Sequence, residues 1–207
     1  KPGLELFVKA LDLLKDDKRP EIQLKILKDK GRFLYQYGLA EEQEKSFQFL
    51  KKSMIAYQNS DYPEKNEALI TTYKLLCYHY AESNPDSSDY YMYQIKELLP
   101  QITNPFHHTW YSYSMASSLI KKEKYKEAKP YLYKTIKFLE EHNLRTIDVY
   151  QFAHVLLGNI AEAEGKYDEA IDYYEIAKNS SIAINTKANT ASFLEKLSIV
   201  KALKLDF

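Results

Sequence analysis

The sequence is poor in several things. One cysteine in 207 residues cannot close an internal disulfide, so a reducing compartment, the cytoplasm, is the expected location. Five glycines are too few for a succession of hairpin turns or for phosphate-cradling loops. Neither sign of charge is in excess. The 29 basic and 29 acidic side chains cancel, which argues against direct nucleic-acid contact, because each neutralised phosphate needs a Lys or Arg. No run approaches the roughly 20 uncharged apolar residues of a membrane-spanning helix, so no membrane partner is expected. The first residues, Lys1 to Phe7, hold neither an initiating Met nor a signal-peptide cleavage site. They read as the start of an intracellular piece of a longer chain.

Against these shortages stand a hydrophobic content of 45%, enough for a packed core, and 19 tyrosines beside a single tryptophan. Apolar residues recur at spacings of three and four, as in Leu4, Phe7, Val8, Leu11 and Leu14, or Phe152, Leu156, Leu157, Ile160 and Ala161. Sustained strand-type alternation is missing. Pro2, Pro20, Pro63, Pro85, Pro100 and Pro105 fall between the periodic segments, where a missing N–H costs little, and Pro130 falls in the first turns of one of them. This pattern predicts about ten helices, near 3–16, 20–37, 40–58, 63–82, 87–101, 105–122, 125–142, 146–164, 167–181 and 186–204.

Catalytic constellations do not assemble, and the chain is not expected to be an enzyme. Cys77 and His79 stand two apart on a helix, so their side chains diverge by about 200° and cannot act as nucleophile and base. His107 and His108 lack the i, i+4 spacing that brings two imidazoles to one zinc, so no metal or cofactor is expected. Lys121, Lys122, Lys124, Lys126 and Lys129, interleaved with Glu123 and Glu127, read as a solvated helix–helix turn.

Short connections imply antiparallel neighbours, and regular hairpins call for a search for repeats. In LGNIAEAEGKYDEAIDYYEIAK, the residues Leu157, Gly158, Gly165, Tyr167, Ala170, Tyr174 and Ala177 fall at one distinctive spacing. Gly158, Ala170 and Ala177 let two helices approach closely, while Leu157, Tyr167 and Tyr174 fill the space around them. The run resembles the tetratricopeptide repeat, with His154 and Ala161 as departures in its first helix. Tyr125, Ala128, Leu132 and Thr135 suggest a second copy. Carrying the small position along the chain gives Gly31, Cys77, Ala116, Gly158 and Ser198, at steps of 46, 39, 42 and 40 residues. The resemblance implies an all-α fold: a right-handed superhelix of about five antiparallel hairpins in a single domain over 1–207. Its helical pairs would be 20–58, 63–101, 105–142 and 146–181, with a capping helix at 186–204.

In such a superhelix the first helix of each pair lines the concave face. The register implied by the resemblance puts Lys28 and Arg32, Lys74 and Tyr78, Trp110, Tyr113, Ser117 and Ile120, Phe152, Val155, Asn159 and Glu162, then Glu195 and Ile199 on that face. The peptide-binding candidates are Lys74, Tyr78, Trp110, Tyr113, Ser117, Phe152, Val155, Asn159 and Glu162. Aromatic walls suit apolar side chains, and an amide such as Asn159 can donate to one backbone carbonyl and accept from one backbone N–H. Packing between hairpins explains Trp110 and Phe152 equally well at this level. The repeat length, the Tyr- and Lys-rich composition and the closing FLEKLSIVKALKLDF are similar in style to the peptide-sensing regulators of Gram-positive bacteria, the Rap, Rgg, NprR, PlcR and PrgX group. That resemblance implies the peptide-binding regulatory domain of a quorum-sensing transcription regulator. The alternative is a general protein–protein interaction scaffold. The expected partner is a short peptide or a protein, with a homodimer also admitted.

Overall fold

The computed structural model describes residues 9, 13, 19–37 and 40–205, with the backbone alone for 36, 37 and 40–43. The expected helix at 3–16 lies outside the described residues except at Lys9 and Leu13. Among the described residues there are nine helices and no strand: α1 Pro20–Tyr37, α2 Ala40–Gln58, α3 Lys65–Ser83, α4 Pro85–Leu98 with a 3-10 turn at Leu99–Gln101, α5 Pro105–Lys121, α6 Tyr125–Glu141, α7 Asp148–Ala163, α8 Tyr167–Ala183 and α9 Lys187–Leu205. The chain is therefore all-α and built of consecutive helical hairpins. It divides into two compact units, Lys1–Asn104 and Pro105–Phe207.

In the first unit α1 packs on α2, α2 on α3 and α3 on α4. Gly31 sets the approach of α1 to α2, since a Cβ there would stand 2.8 Å from Leu50 Cδ2 and 3.2 Å from the Leu50 backbone nitrogen. Leu50, Ile70, Leu76 and Ile95 are fully buried. Asn84 starts α4 by accepting from the Ser87 N–H, and Pro85 follows in the first turn, where its missing N–H is no loss. Aromatic rings do much of the remaining filling. Tyr73 stacks on Tyr91 at 5.7 Å, Tyr91 on Tyr80 at 5.9 Å, and Tyr80 meets Phe47 edge-on at 5.2 Å. Cys77 is buried beside this group; its thiol donates to the Ser88 carbonyl, and burial pushes its pKa up to about 12. A thiol so held is a packing residue and not a nucleophile.

The second unit repeats one device at each turn. Glu123, Asn143, Gly165 and Asn185 close α5, α6, α7 and α8, and all four have positive φ, between 56° and 72°. At each, two N–H groups turn back onto the helix end. At α7, for example, Gly165 N–H donates to Glu162 O at 3.0 Å and Lys166 N–H to Ala161 O at 2.8 Å. This pairing satisfies carbonyls that a helix end leaves bare and sends the chain back antiparallel. Between α7 and α8 the close approach falls at Gly158, where a Cβ would stand 2.4 Å from Tyr174 Cε1. Leu132, Leu157 and Ile160 close one core, and Ala170, Tyr174, Ala177, Phe193, Leu197 and Val200 another. In α9 the small position expected at Ser198 differs. Ser198 is exposed, whereas Leu197, which corresponds to the buried Leu157 of α7, is buried.

Candidate functional site

The expected binding residues fall on three helices, within two separate units. In the first unit, Lys74 and Tyr78 lie one turn apart on α3. Lys74 is half-buried, and desolvation pushes its ammonium down to about 8. Tyr78 is 49% exposed. In the second unit, Trp110, Tyr113 and Ser117 are half-buried on α5. Tyr113 packs against the cluster of Ala116, Leu132 and Leu157. Phe152, on α7, meets Phe193 of α9 edge-on at 6.1 Å. Val155 is buried in the core with Phe193 and Ala177, so its side chain presents almost no surface to a ligand.

Asn159 and Glu162, one turn apart on α7, are brought together by a residue that the repeat register assigns to packing. The Tyr174 ring of α8 is fully buried beneath Gly158, and its hydroxyl emerges between the two polar side chains, 2.8 Å from Asn159 Oδ1 and 2.8 Å from Glu162 Oε2. It has one proton to give to the two acceptors. Burial, and then the neighbouring Glu162 carboxylate, hold the phenol far above its ordinary pKa, so it remains a neutral donor. Lys196 of α9 completes the group. Its Nζ donates to Asn159 Oδ1 at 2.9 Å and lies 5.4 Å from the centroid of the Tyr174 ring.

This geometry fixes how Asn159 can act. An ammonium and a phenol both face one end of the amide, so that end is the carbonyl oxygen; Lys196 donates to it, and the single Tyr174 proton is shared between it and Glu162. The Asn159 Nδ2 group donates to no protein atom among the described residues. The amide therefore offers a ligand two donors, while its oxygen already accepts from Lys196 and faces the Tyr174 hydroxyl, where sequence suggested a donor-and-acceptor pair. Lys196 and Tyr174 are the members of this group that the register missed. Tyr174 reads as a space-filling residue, and Lys196 comes from a helix 37 residues away. The single signal was their placement on helices flanking α7.

No protein-family model matches the chain, and no curated protein matches it in sequence. Its fold does match solved structures. The chain is similar to the crystal structure of BtubC (BKLC) from P. vanneervenii, with a TM-score of 0.64, 10% identity, and coverage of 100% of this chain and 91% of that one. At that identity the likeness is one of fold. Among the described residues no helix is long and apolar enough to cross a membrane, and no group of three or more His, Cys, Asp or Glu side chains is placed to hold a metal ion.

Proposed function

We propose that this chain is a peptide-binding regulatory domain of the tetratricopeptide type, taking a short extended peptide on the α7 face of its second unit. The sequence resemblance to the Gram-positive peptide sensors makes a signalling peptide of a quorum-sensing transcription regulator the favoured ligand. One observation carries the reading. Asn159 is half-buried and clamped through its oxygen by Tyr174 and Lys196, so its two N–H donors are aimed by the fold and unspent. A preoriented amide of this kind can hold a backbone carbonyl without selecting sequence, at low entropic cost. The half-buried Phe152 and Glu162 lie one helical turn or two away on α7.

Titration calorimetry of the chain against a diverse set of short hydrophobic peptides tests the reading. Binding is expected, with at least a tenfold loss in Asn159→Ala, as for about 1.5 kcal/mol of hydrogen bonding. Silence across the set at high micromolar peptide would overturn it.

A second reading, a scaffold for a folded protein partner, draws on the first unit. Tyr78, Tyr90 and Tyr93 are 49%, 56% and 56% exposed there, and tyrosine is enriched at interface hot spots. Partner capture that survives Asn159→Ala combined with Tyr113→Ala favours this scaffold over the peptide groove.

A further inference from the structure

The outer faces of α4 and α6 carry one pattern with opposite charge. On α4, Asp86, Tyr90, Tyr93 and Glu97 follow at i, i+4, i+7 and i+11, the spacing that keeps four side chains on one stripe of a helix. On α6, Lys126, Pro130, Tyr133 and Lys137 do the same, and each stands 40 positions after its counterpart. All eight are exposed. The three tyrosines show 56%, 56% and 50% of their surface. Each stripe is about 16 Å long, with a charge at both ends and flat rings between them. Acid ends face outward on α4, basic ends on α6.

These faces do not hold the hairpins together. α4 packs on α3 and turns Tyr91, Met92 and Ile95 inward, while α6 packs on α5 and α7 and buries Ala128, Leu132, Thr135 and Leu139. In each helix the buried set lies on the side opposite the stripe. Asp86, Glu97 and Lys126 form no ion pair among the described residues. Lys137 lies 3.8 Å from Glu141, a pair exposed on both sides and worth little. The Tyr133 hydroxyl stands 3.4 Å from that of Tyr173, which limits the freedom its ring would lose on contact with a partner. The neighbours extend the contrast, since exposed Asp89 flanks the α4 stripe and exposed Lys134 flanks that of α6. Lys96 and Glu127, of the other sign, lie further round each helix.

We propose that α4 of one copy docks on α6 of another, so that the chain associates with itself through unlike stripes. Each stripe has the same sign at both ends. Asp86 and Glu97 therefore meet Lys126 and Lys137 whether the two helices run parallel or antiparallel, and Tyr90 and Tyr93 meet Pro130 and Tyr133 at the centre. Two α4 stripes repel one another, as do two α6 stripes, so pairing of like helices is disfavoured. Every copy carries both stripes, and the contact is satisfied in a closed pair or in an open chain. Nothing in this proposal depends on a peptide ligand.

Sedimentation equilibrium over a wide range of protein concentration tests it. One helix pair is a small contact, so a dissociation constant on the order of 100 μM is expected at low salt, rising several-fold at about 0.5 M salt. Asp86→Lys with Glu97→Lys, and separately Lys126→Glu with Lys137→Glu, should each weaken self-association about tenfold or more, because two attractions become two repulsions. An equimolar mixture of these two variants should associate as the native chain does, and so should the chain carrying all four substitutions. The altered positions are exposed, so far-ultraviolet circular dichroism should match that of the native chain. A native chain that stays monomeric at low salt overturns the proposal. Association indifferent to both pairs of substitutions overturns it too, as does a loss in both that neither mixing nor the fourfold exchange restores.

Discussion

Between Pro105 and Leu205 each turn joining two helices is closed by a residue of positive φ, while among the described residues before Pro105 there is none. The hydroxyls differ in the same direction. In the second unit the buried Tyr150 donates to Glu140 at 3.1 Å, and Tyr174 stands 2.8 Å from both Asn159 and Glu162. In the first unit the fully buried Tyr57 hydroxyl and Ser53 hydroxyl find no hydrogen-bond partner among the described residues. The first unit fills much of its interior with stacked rings, and the second relies more on small residues at close approaches and on the paired hydroxyls of Tyr150 and Tyr174. Aromatic packing tolerates irregular spacing, because a ring can tilt to fill a gap. Close approach at a small residue does not, because one methyl group is enough to spoil it. The second unit should therefore be the more sensitive to single atoms, and substitutions that add or remove one atom group in each unit can break the comparison or sharpen it.

The largest difference is expected at the glycines. A methyl group at Gly158 would meet the Tyr174 ring at 2.4 Å, and that ring is pinned at both its buried body and its hydroxyl. After allowing for the helix-forming advantage of alanine, Gly158→Ala should cost about 2 kcal/mol. At Gly31 the methyl group meets the buried Leu50 side chain at 2.8 Å and its backbone nitrogen at 3.2 Å, a looser fit than at Gly158, so Gly31→Ala should cost only about 1 kcal/mol. Urea unfolding measures both. Trp110, the single tryptophan, lies in the second unit, so its fluorescence reports Gly158→Ala directly, while circular dichroism is needed for Gly31→Ala. Equal costs at the two sites would remove the contrast.

Removing one hydroxyl from each unit should give effects of opposite sign. Tyr174→Phe deprives Asn159 and Glu162 of their shared donor, at about 1.5 kcal/mol. Tyr57→Phe removes a buried group with no partner, and with it a desolvation cost, so it should stabilise by about 0.5–1 kcal/mol. Thermal melts of the two variants are a direct comparison. A loss of stability in Tyr57→Phe would show that its hydroxyl is satisfied in solution.

The same contrast explains what could be read from sequence. The spacing of Gly158, Gly165, Tyr167, Ala170 and Tyr174 marks α7 and α8 because each of those residues meets a steric demand at a fixed offset, and sequence records such demands. Helix limits at 20–37 and 40–58 follow from apolar period and proline in the same way, and the expected 125–142 overruns α6 by one residue. The first unit gave weaker signals. Tyr57 and Tyr91 are buried there, yet nothing in their spacing separates them from the exposed Tyr90 and Tyr93. The site was legible as far as Asn159 and Glu162, whose positions follow from the register of one helix. It was not legible where it depends on contacts between helices. Lys196 reaches Asn159 from 37 residues away, and the Tyr174 hydroxyl acts at the site while its ring serves the core. A repeat pattern assigns one role to a position, and Tyr174 has two.

The smallest expected effect concerns the turns that set the second unit apart. Three of its four positive-φ positions carry residues other than glycine. Asn143 and Asn185 tolerate the left-handed region because a short polar side chain can hydrogen-bond locally. Glu123, with φ of 56°, has no such relief. Its conformation is imposed by the two bonds that close α5, from Glu123 N–H to Ile120 O at 2.9 Å and from Lys124 N–H to Leu119 O at 2.9 Å. Those are main-chain bonds, so Glu123→Gly keeps them and removes the strain, at the expense of a more flexible unfolded chain. The balance should favour the variant by about 0.5 kcal/mol, seen as a small rise in the urea midpoint at unchanged slope. Gly165→Ala, at the equivalent turn with φ of 72° and open space around it, should lose stability by about 1 kcal/mol through backbone strain alone. If the two substitutions shift the midpoint in opposite directions, the turn device is what holds these hairpins in register. If Glu123→Gly instead lowers the midpoint, the Glu123 side chain contributes more at that turn than its backbone costs.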